Sequence, residues 1–259
     1  MRKISPVLLP ILASVFLSSN SYAAASAKFA ATYSTSPALA SIVSIEDATV
    51  DTKLVDSKTG YTMATIKVPQ DKELMVGISA EIGLLTDTSI KGKNGGSAKA
   101  IAGANAHITI FATPVGGGDS IMAAPGKVML SERIQELSAT LGGVIQSCTD
   151  GDLDGTITVA EDCIVTDEEI GLLQSTTAAH HFNFILPNMP QGNYEIKAVF
   201  STGATGEVDI CDEGEDCSFD PEGTVSATAN ATAVINKTMM TVQQVRATKT
   251  GVIEADIVE

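Results

Sequence analysis

The strongest constraint on the fold is a two-residue alternation of apolar and polar side chains that recurs along the chain. Residues 74–82 carry Leu, Val, Ile, Ala and Ile at every second position, and residues 225–235 carry Val, Ala and Ile in the same way. Successive side chains of a β-strand point to opposite faces, so this period predicts strands that are buried on one face.

Shorter segments with the same pattern lie between glycine- and proline-rich turns. The predicted strands are Thr62–Val68, Ala106–Ala112, Phe182–Leu186, Asn193–Phe200 and Met240–Val245. The predicted turns are Asn94–Gly96, Gly116–Gly118, Pro190–Gly192 and Asp220–Gly223. Many strands joined by such turns are typical of an antiparallel sandwich. We therefore expect a mainly β fold, with the sandwich formed by residues 41–130 and 181–247 and followed by a C-terminal tail over 248–259.

The stretch from Pro190 to Val199 reads PQGNYEIKAV and resembles the turn and late strand of an immunoglobulin- or fibronectin-like domain. In those domains a tyrosine near the start of this strand often hydrogen-bonds back to the preceding corner, and Tyr194 occupies the matching place. The resemblance covers this stretch alone, and it implies an immunoglobulin-like sandwich.

The N-terminus has the order of features found in a secretory signal peptide. A basic pair at residues 2–3 precedes an apolar run over 7–17, and small residues follow up to Ala27. That run is shorter than the roughly 20 residues of a membrane-spanning helix, so no membrane span is expected. We predict a signal peptide over 1–23, with cleavage as late as Ala27, and a flexible segment over 24–40. The protein is then secreted, either to the extracellular space, to the cell surface or to the periplasm.

The chain is strongly acidic, with 31 acidic and 16 basic residues and a net charge of −15. Loss of the predicted signal peptide removes two basic residues and leaves 14 against 31, a net charge of −17. An acidic surface repels nucleic acid and anionic lipid and attracts cations, so nucleic acid is not an expected partner. Tryptophan is absent and aromatic residues make up 4% of the chain, which argues against sites that stack sugars or bases.

The strand pattern breaks between residues 131 and 180. Ile134, Leu137 and Leu141 recur there at helical spacing. Further on, Thr166 and Glu169 fit a capping box, which marks the start of a helix. We predict two helices that flank an acidic loop, inserted between the two parts of the sandwich as a helix–calcium loop–helix unit.

The acidic loop, Asp150–Glu161, reads DGDLDGTITVAE and is similar to the twelve-residue EF-hand loop. Calcium takes six to eight oxygen ligands, and carboxylates at alternate positions can curl around one such ion, Ca²⁺. Gly155 stands where the EF-hand needs a sharp turn. Because the loop is solitary, a dockerin-like loop is the nearer comparison. The resemblance implies these ligands: Asp150, Asp152, Asp154, Thr156, Thr158 and Glu161.

Two cysteines, Cys148 and Cys163, bracket the acidic loop, and Cys211 and Cys217 lie further along the chain. Cysteines of exported proteins commonly form disulfides. Local pairing within each couple is the simplest arrangement, and the other connectivities stay open. The segment between Cys211 and Cys217 is itself rich in carboxylates, and we interpret it either as a solvated hairpin tip or as a weak second cation site.

Other motifs point away from catalysis. The chain contains neither the G-x-S-x-G elbow of serine hydrolases nor the H-E-x-x-H motif of zinc proteases, so we do not expect an enzyme. His180 and His181 lack a ligand partner at useful spacing and are interpreted as surface or capping residues. The segment Ala38–Val55 is interpreted either as the first strand of the domain or as a donor strand for a neighbouring subunit's sheet.

These features together favour a secreted calcium-binding structural or adhesive protein, such as a fibre or matrix subunit. Calcium would act as a structural staple, and strand addition is the candidate route to self-association. The alternative is a calcium-dependent binding module for a polysaccharide or a protein ligand.

Overall fold

A computed structural model describes residues 29–34, 39–46, 52–69, 72–93, 95–151, 155–210 and 225–245. These residues form twelve β-strands and a single helical turn, α1 (Val159–Asp162). The predicted signal peptide, the C-terminal tail and the segment from Cys211 to Cys217 lie outside them. In the described ranges no helix has the length and apolar character needed to cross a bilayer.

Ten of the strands form two five-stranded antiparallel sheets. Sheet A contains β1 (Phe29–Ser34), β2 (Leu39–Glu46), β4 (Lys72–Gly92), β10 (Glu168–Met189) and β12 (Val225–Val245). Sheet B contains β3 (Thr52–Val68), β5 (Gly96–Pro114), β6 (Ile121–Met122), β7 (Val128–Leu141) and β11 (Gly192–Asp209). In sheet A, β12 lies between β4 and the two short strands β1 and β2, and β10 forms the opposite edge. In sheet B, β11 and β5 are central, with β3 at one edge and β6 and β7 at the other.

The two sheets pack face to face on a shared apolar core. Ile78 and Met240 from sheet A belong to the same buried cluster as Ile108 and Ile196 from sheet B. The alternating residues predicted in 74–82 and 225–235 are the buried ones in β4 and β12. The prediction of a mainly β, antiparallel sandwich is therefore confirmed, whereas the immunoglobulin-like strand topology stays a prediction.

Small side chains let the sheets approach closely at one end of the sandwich. Alanines from β5 and β12 supply much of the second buried cluster, including Ala100 and Ala229. A Cβ atom added to Gly206 of β11 would lie 2.9 Å from Val43 Cγ1 and 3.1 Å from the Ala229 carbonyl oxygen, both in the opposite sheet. Glycine at this position therefore allows the close approach without displacing these neighbours.

The prediction of a helical insert over residues 131–180 is wrong. The first predicted helix is strand β7, which pairs with β5 from Val128 to Leu141. Its inward positions include a buried glutamine, Gln135, while Ile134 faces outward and is 70% exposed. Because a polar residue is buried here and an apolar one is exposed, the sequence of β7 does not show the two-residue period of a half-buried strand. Pairing with β5 over the length of the strand then outweighs the weak local helical pattern.

The second predicted helix is also absent. Thr166, its expected N-cap, ends strand β9 (Cys163–Thr166), and β10 begins at Glu168. Strand β10 pairs with β4 from Glu168 to Leu186 without a register shift. Its first half is exposed on both faces, so neither face needs to be apolar and the sequence shows no clear period there.

The N-terminal segment joins the sandwich earlier than expected. Strand β1, Phe29–Ser34, lies within residues 24–40, which we predicted to be flexible, and it pairs with β12. The segment Ala38–Val55 supplies β2 and the start of β3 in this chain's own sheets. Its described residues therefore act as strands of the domain.

Candidate metal centre

The acidic loop lies at the end of a small hairpin outside both main sheets. Strands β8 (Val144–Cys148) and β9 form a separate two-stranded sheet in which Cys148 lies directly opposite Cys163. The two residues form a disulfide with their Cα atoms 4.0 Å apart, as the local pairing predicted. The ladder continues into the loop, where the Thr149 amide donates to the Asp162 carbonyl oxygen at 2.9 Å. Both ends of the loop are thereby held together.

Asp150, the first residue of the loop, accepts a hydrogen bond from the sixth. The Gly155 amide donates a hydrogen bond to Asp150 Oδ2 at 2.9 Å. Gly155 adopts a φ of 84°, in the left-handed region that disfavours side chains with a Cβ atom. The first and sixth positions of the loop are therefore linked by a hydrogen bond, and Gly155 has a positive φ, while the EF-hand-like turn stays a prediction.

Asp162 links the second and ninth positions of the loop, Gly151 and Thr158, through its two carboxylate oxygens. Its Oδ1 accepts from the Gly151 amide at 3.1 Å. Its Oδ2 accepts from the Thr158 amide at 2.8 Å. These amides, with Thr158 first and Gly151 second, hold the pKa of the Asp162 carboxyl below its usual range. Asp162 lies one residue beyond the EF-hand-like pattern, and that is why the motif does not reveal it.

The predicted ligands are placed as follows. Asp150 lies at the start of the loop, and Thr158 is the N-cap residue of α1. Thr156 and Glu161 are exposed, and Glu161 lies in α1 beside Asp162. Asp152 and Asp154 lie outside the described residues. Within the ranges that are described, no three His, Cys, Asp or Glu side chains are grouped closely enough to hold a metal ion.

His181 has hydrogen-bond partners on the outer face of sheet A. Its Nδ1 lies 3.0 Å from Ser79 Oγ on β4. Its Nε2 lies 3.2 Å from Asn183 Oδ1 on β10. This arrangement matches the surface role that we predicted for His181.

A shallow groove of about 330 Å³ lies on the same outer face. It runs beside the end of β1 and is lined by Tyr33, Glu81, Ala179 and Met239, among others. Next to the groove, the β12–β4 register shifts between Ile235 and Thr238, which bends the strand locally. The Tyr33 side chain is 75% exposed at the rim. The groove therefore offers an exposed aromatic ring next to an apolar surface.

No protein-family model and no curated protein matches this chain. Among solved structures, a chain in the structure of the infectious bursal disease virus Gx strain is 12% identical, with 84% of this chain covered and a TM-score of 0.18. A chain of the Gt strain structure is 12% identical, with 85% covered and a TM-score of 0.12. This chain spans 42% of the length of each. Similarity at this level carries no argument about fold or function.

Proposed function

We propose that this protein is a secreted, calcium-binding structural or adhesive component of the extracellular space. One calcium ion would be held by the loop Asp150–Glu161. The observation that carries the proposal is the hydrogen bond between the Gly155 amide and Asp150 Oδ2, formed at a left-handed glycine. It supports the EF-hand-like register because it joins positions one and six through the turn that this register requires.

The ligands would come from the loop itself. Asp150, Asp152 and Asp154 would supply carboxylate oxygens, Thr156 its carbonyl oxygen, Thr158 a water-mediated contact, and Glu161 the closing carboxylate. Calcium, when bound, supplies a charge centre that ties these oxygens together. Without the ion, the Asp162 carboxylate holds the second and ninth positions of the loop together through the amides of Gly151 and Thr158. We infer that Glu161 would bind the ion, whereas Asp162 holds the loop through backbone amides.

The disulfide favours a structural staple over a regulatory switch. Cys148 and Cys163 hold the ends of the loop together, so ordering by the ion is confined to the residues between them. A regulatory EF-hand instead changes the angle between two long helices. The one helix within the described residues, α1, has only four residues.

Isothermal titration with calcium tests the proposal. The parent protein should show one main binding event. Glu161→Gln should weaken binding at least tenfold, roughly the effect of losing a group that merely supports a ligand. Glu169→Gln, an exposed acid in β10 outside the loop, is the matched control and should bind like the parent. Equal affinity of Glu161→Gln and the parent would mean that Glu161 is not the closing ligand.

The groove on sheet A supports a second candidate, a calcium-dependent binding module for a polysaccharide or protein ligand. The supporting observation is the exposed Tyr33 ring beside an apolar surface. Such rings stack on the apolar faces of ligands. Tyr33→Ala should abolish oligosaccharide binding in a glycan array without changing calcium affinity.

Electron microscopy of the parent addresses the fibre form of the first candidate, because monomers alone, with and without calcium, would eliminate it.

A further inference from the structure

Within the described part of the chain, the outer edge of β10 is unpaired over most of its length. One side of the strand pairs with β4 from Glu168 onward. On the other side, among the residues described, the backbone partner is Ala124, which exchanges hydrogen bonds of 2.9 and 3.0 Å with Ile185. Backbone groups alternate in direction along an antiparallel strand, and the register is unbroken to Leu186. The odd-numbered residues from Glu169 to Asn183 therefore direct their N–H and C=O groups away from β4.

This edge lacks the devices that normally prevent strands from pairing with other molecules. Native proteins protect an edge with charges, proline, a bulge or a short strand. The run from Ile170 to Ala179 has no charged residue and no proline, and its pairing with β4 has no bulge. Ile170, Leu172 and Leu173 are also exposed, with Leu173 at 64%. The run is a template for a further strand.

The other sheet edges carry these protections. Strands β1 and β2 have only six and eight residues. The register of β7 shifts at the pair Ala106/His107 of β5. Charged residues of β3 and β7 are Lys53, Asp56, Lys58, Lys67, Glu132, Arg133 and Glu136. Among the strands described, β10 therefore differs from the other edge strands in having a long unprotected run.

The sequence of β10 is complementary to itself in the antiparallel direction. Acidic residues, Glu168 and Glu169, stand at one end of the neutral run, and His180 and His181 stand at the other. A pairing centred on Ser175 places Glu169 opposite His181. A pairing centred one residue earlier places Glu168 opposite His180. In both registers acids face imidazoles and the neutral runs face each other, which favours an antiparallel partner of the same sequence.

We propose that the β10 edge binds a second copy of this chain, through antiparallel β10–β10 pairing about a two-fold axis near Ser175. The two copies of sheet A form one continuous sheet. With seven outward-facing residues per copy, from Glu169 to His181, the joint contains about fourteen backbone hydrogen bonds. A two-fold contact is closed, so it produces a dimer. The inference deepens the self-association in the proposed function and does not depend on calcium.

Sedimentation equilibrium of the secreted form of the chain tests this proposal. The parent should be a dimer in chelator and in calcium. Ser175→Pro removes an amide that points away from β4, so it should give a folded monomer. Ser175→Lys places like charges next to the two-fold axis and should also give a monomer, which keeps the test valid if the proline variant fails to fold. Ser57→Lys, an exposed serine on the β3 edge, is the matched control and should remain a dimer.

A monomeric parent at high micromolar concentration overturns the proposal, and so does an open-ended polymer. A dimer that persists in both Ser175 variants overturns it as well. The outcome is separable from that of the calcium titration. If the protein is a dimer in chelator and binds no calcium, only the calcium part of the proposed function is wrong. If it binds calcium as a monomer, only the proposed dimer is wrong.

Discussion

The Gly155 amide donates a 2.9 Å hydrogen bond to Asp150 Oδ2, and thereby links the first and sixth positions of the loop. The residue that donates this bond has a left-handed backbone, with a φ of 84° at Gly155. The bond therefore joins a left-handed glycine to a carboxylate that we propose as a calcium ligand.

Gly155→Ala should weaken calcium binding. A Cβ atom at Gly155 would meet nothing within 4 Å, so the substitution introduces no clash. The left-handed conformation alone costs a non-glycine residue about 1–2 kcal/mol, which corresponds to roughly a 5- to 30-fold loss of affinity. Calorimetric titration measures the change.

Gly142→Ala is the matched control for this variant. A Cβ atom at Gly142 also meets nothing within 4 Å, but Gly142 is not among the residues with positive φ. Its calcium affinity should equal that of the parent. Equal affinities for all three proteins would show that the turn at Gly155 does not position a ligand.

Removal of the disulfide should lower the stability of the whole domain. The double variant Cys148→Ser/Cys163→Ser opens a bridge with a sequence separation of 15. In the chain-entropy model this costs about 3 kcal/mol, or about 6–12 °C in the thermal midpoint for a protein of this size. Thermal unfolding followed by circular dichroism measures the shift. Parent protein treated with a reductant should show at least this shift, because the reductant also opens the predicted Cys211–Cys217 bridge. An unchanged midpoint in the double variant would mean that the hairpin melts independently of the sandwich.

Loop closure without calcium should depend on pH through Asp162. The amides of Thr158 and Gly151 lower the pKa of this carboxyl in the folded state. A carboxyl whose pKa is lower in the folded than in the unfolded state stabilises the folded state. This stabilisation is fully present above the unfolded pKa of about 3.9, and it is lost as the pH falls through the folded pKa. In chelator, the Gly151 and Thr158 amide resonances should therefore stay constant from pH 7 to about pH 5 and move together at acidic pH. Asp162→Asn should remove this common transition.

The sequence predicts best where tertiary structure and local pattern agree. In β12, every second residue from Val225 to Ile235 is apolar and is buried against sheet B, so the period alone identifies the strand. In β7, the buried position is occupied by Gln135 and the exposed one by Ile134. The polarity that identifies a buried face is reversed there, and the sequence suggested a helix.

The same contrast holds in the loop. A turn at Gly155 was predicted because the EF-hand-like spacing requires a glycine there. The disulfide was predicted because two cysteines bracket the loop. The task of Asp162 depends on the hairpin bringing residues 151 and 158 to one carboxylate, which is a property of the folded loop. Spacing along the chain does not contain that information.

Gln135 joins the two sheets through a buried hydrogen-bond network. Its Oε1 accepts from Thr86 Oγ1 at 2.9 Å. Its Nε2 donates to Thr88 Oγ1 at 2.8 Å and also to the Leu172 carbonyl oxygen. The network connects β7 of sheet B to β4 and β10 of sheet A at the edge of the sandwich. It therefore adds a side-chain link from sheet B to the edge strand β10, which also pairs with β4.

Gln135→Met keeps the length of the side chain and removes all of these hydrogen bonds. Each buried group that then lacks a partner costs about 1–3 kcal/mol, and urea denaturation should show a loss in that range or above. Gln146→Met, at an exposed glutamine on β8, is the control and should be neutral. Adding Thr86→Val and Thr88→Val to Gln135→Met should restore most of the stability, because the polar groups are then removed together. If the triple variant is as unstable as Gln135→Met, the bond to the Leu172 carbonyl accounts for the loss.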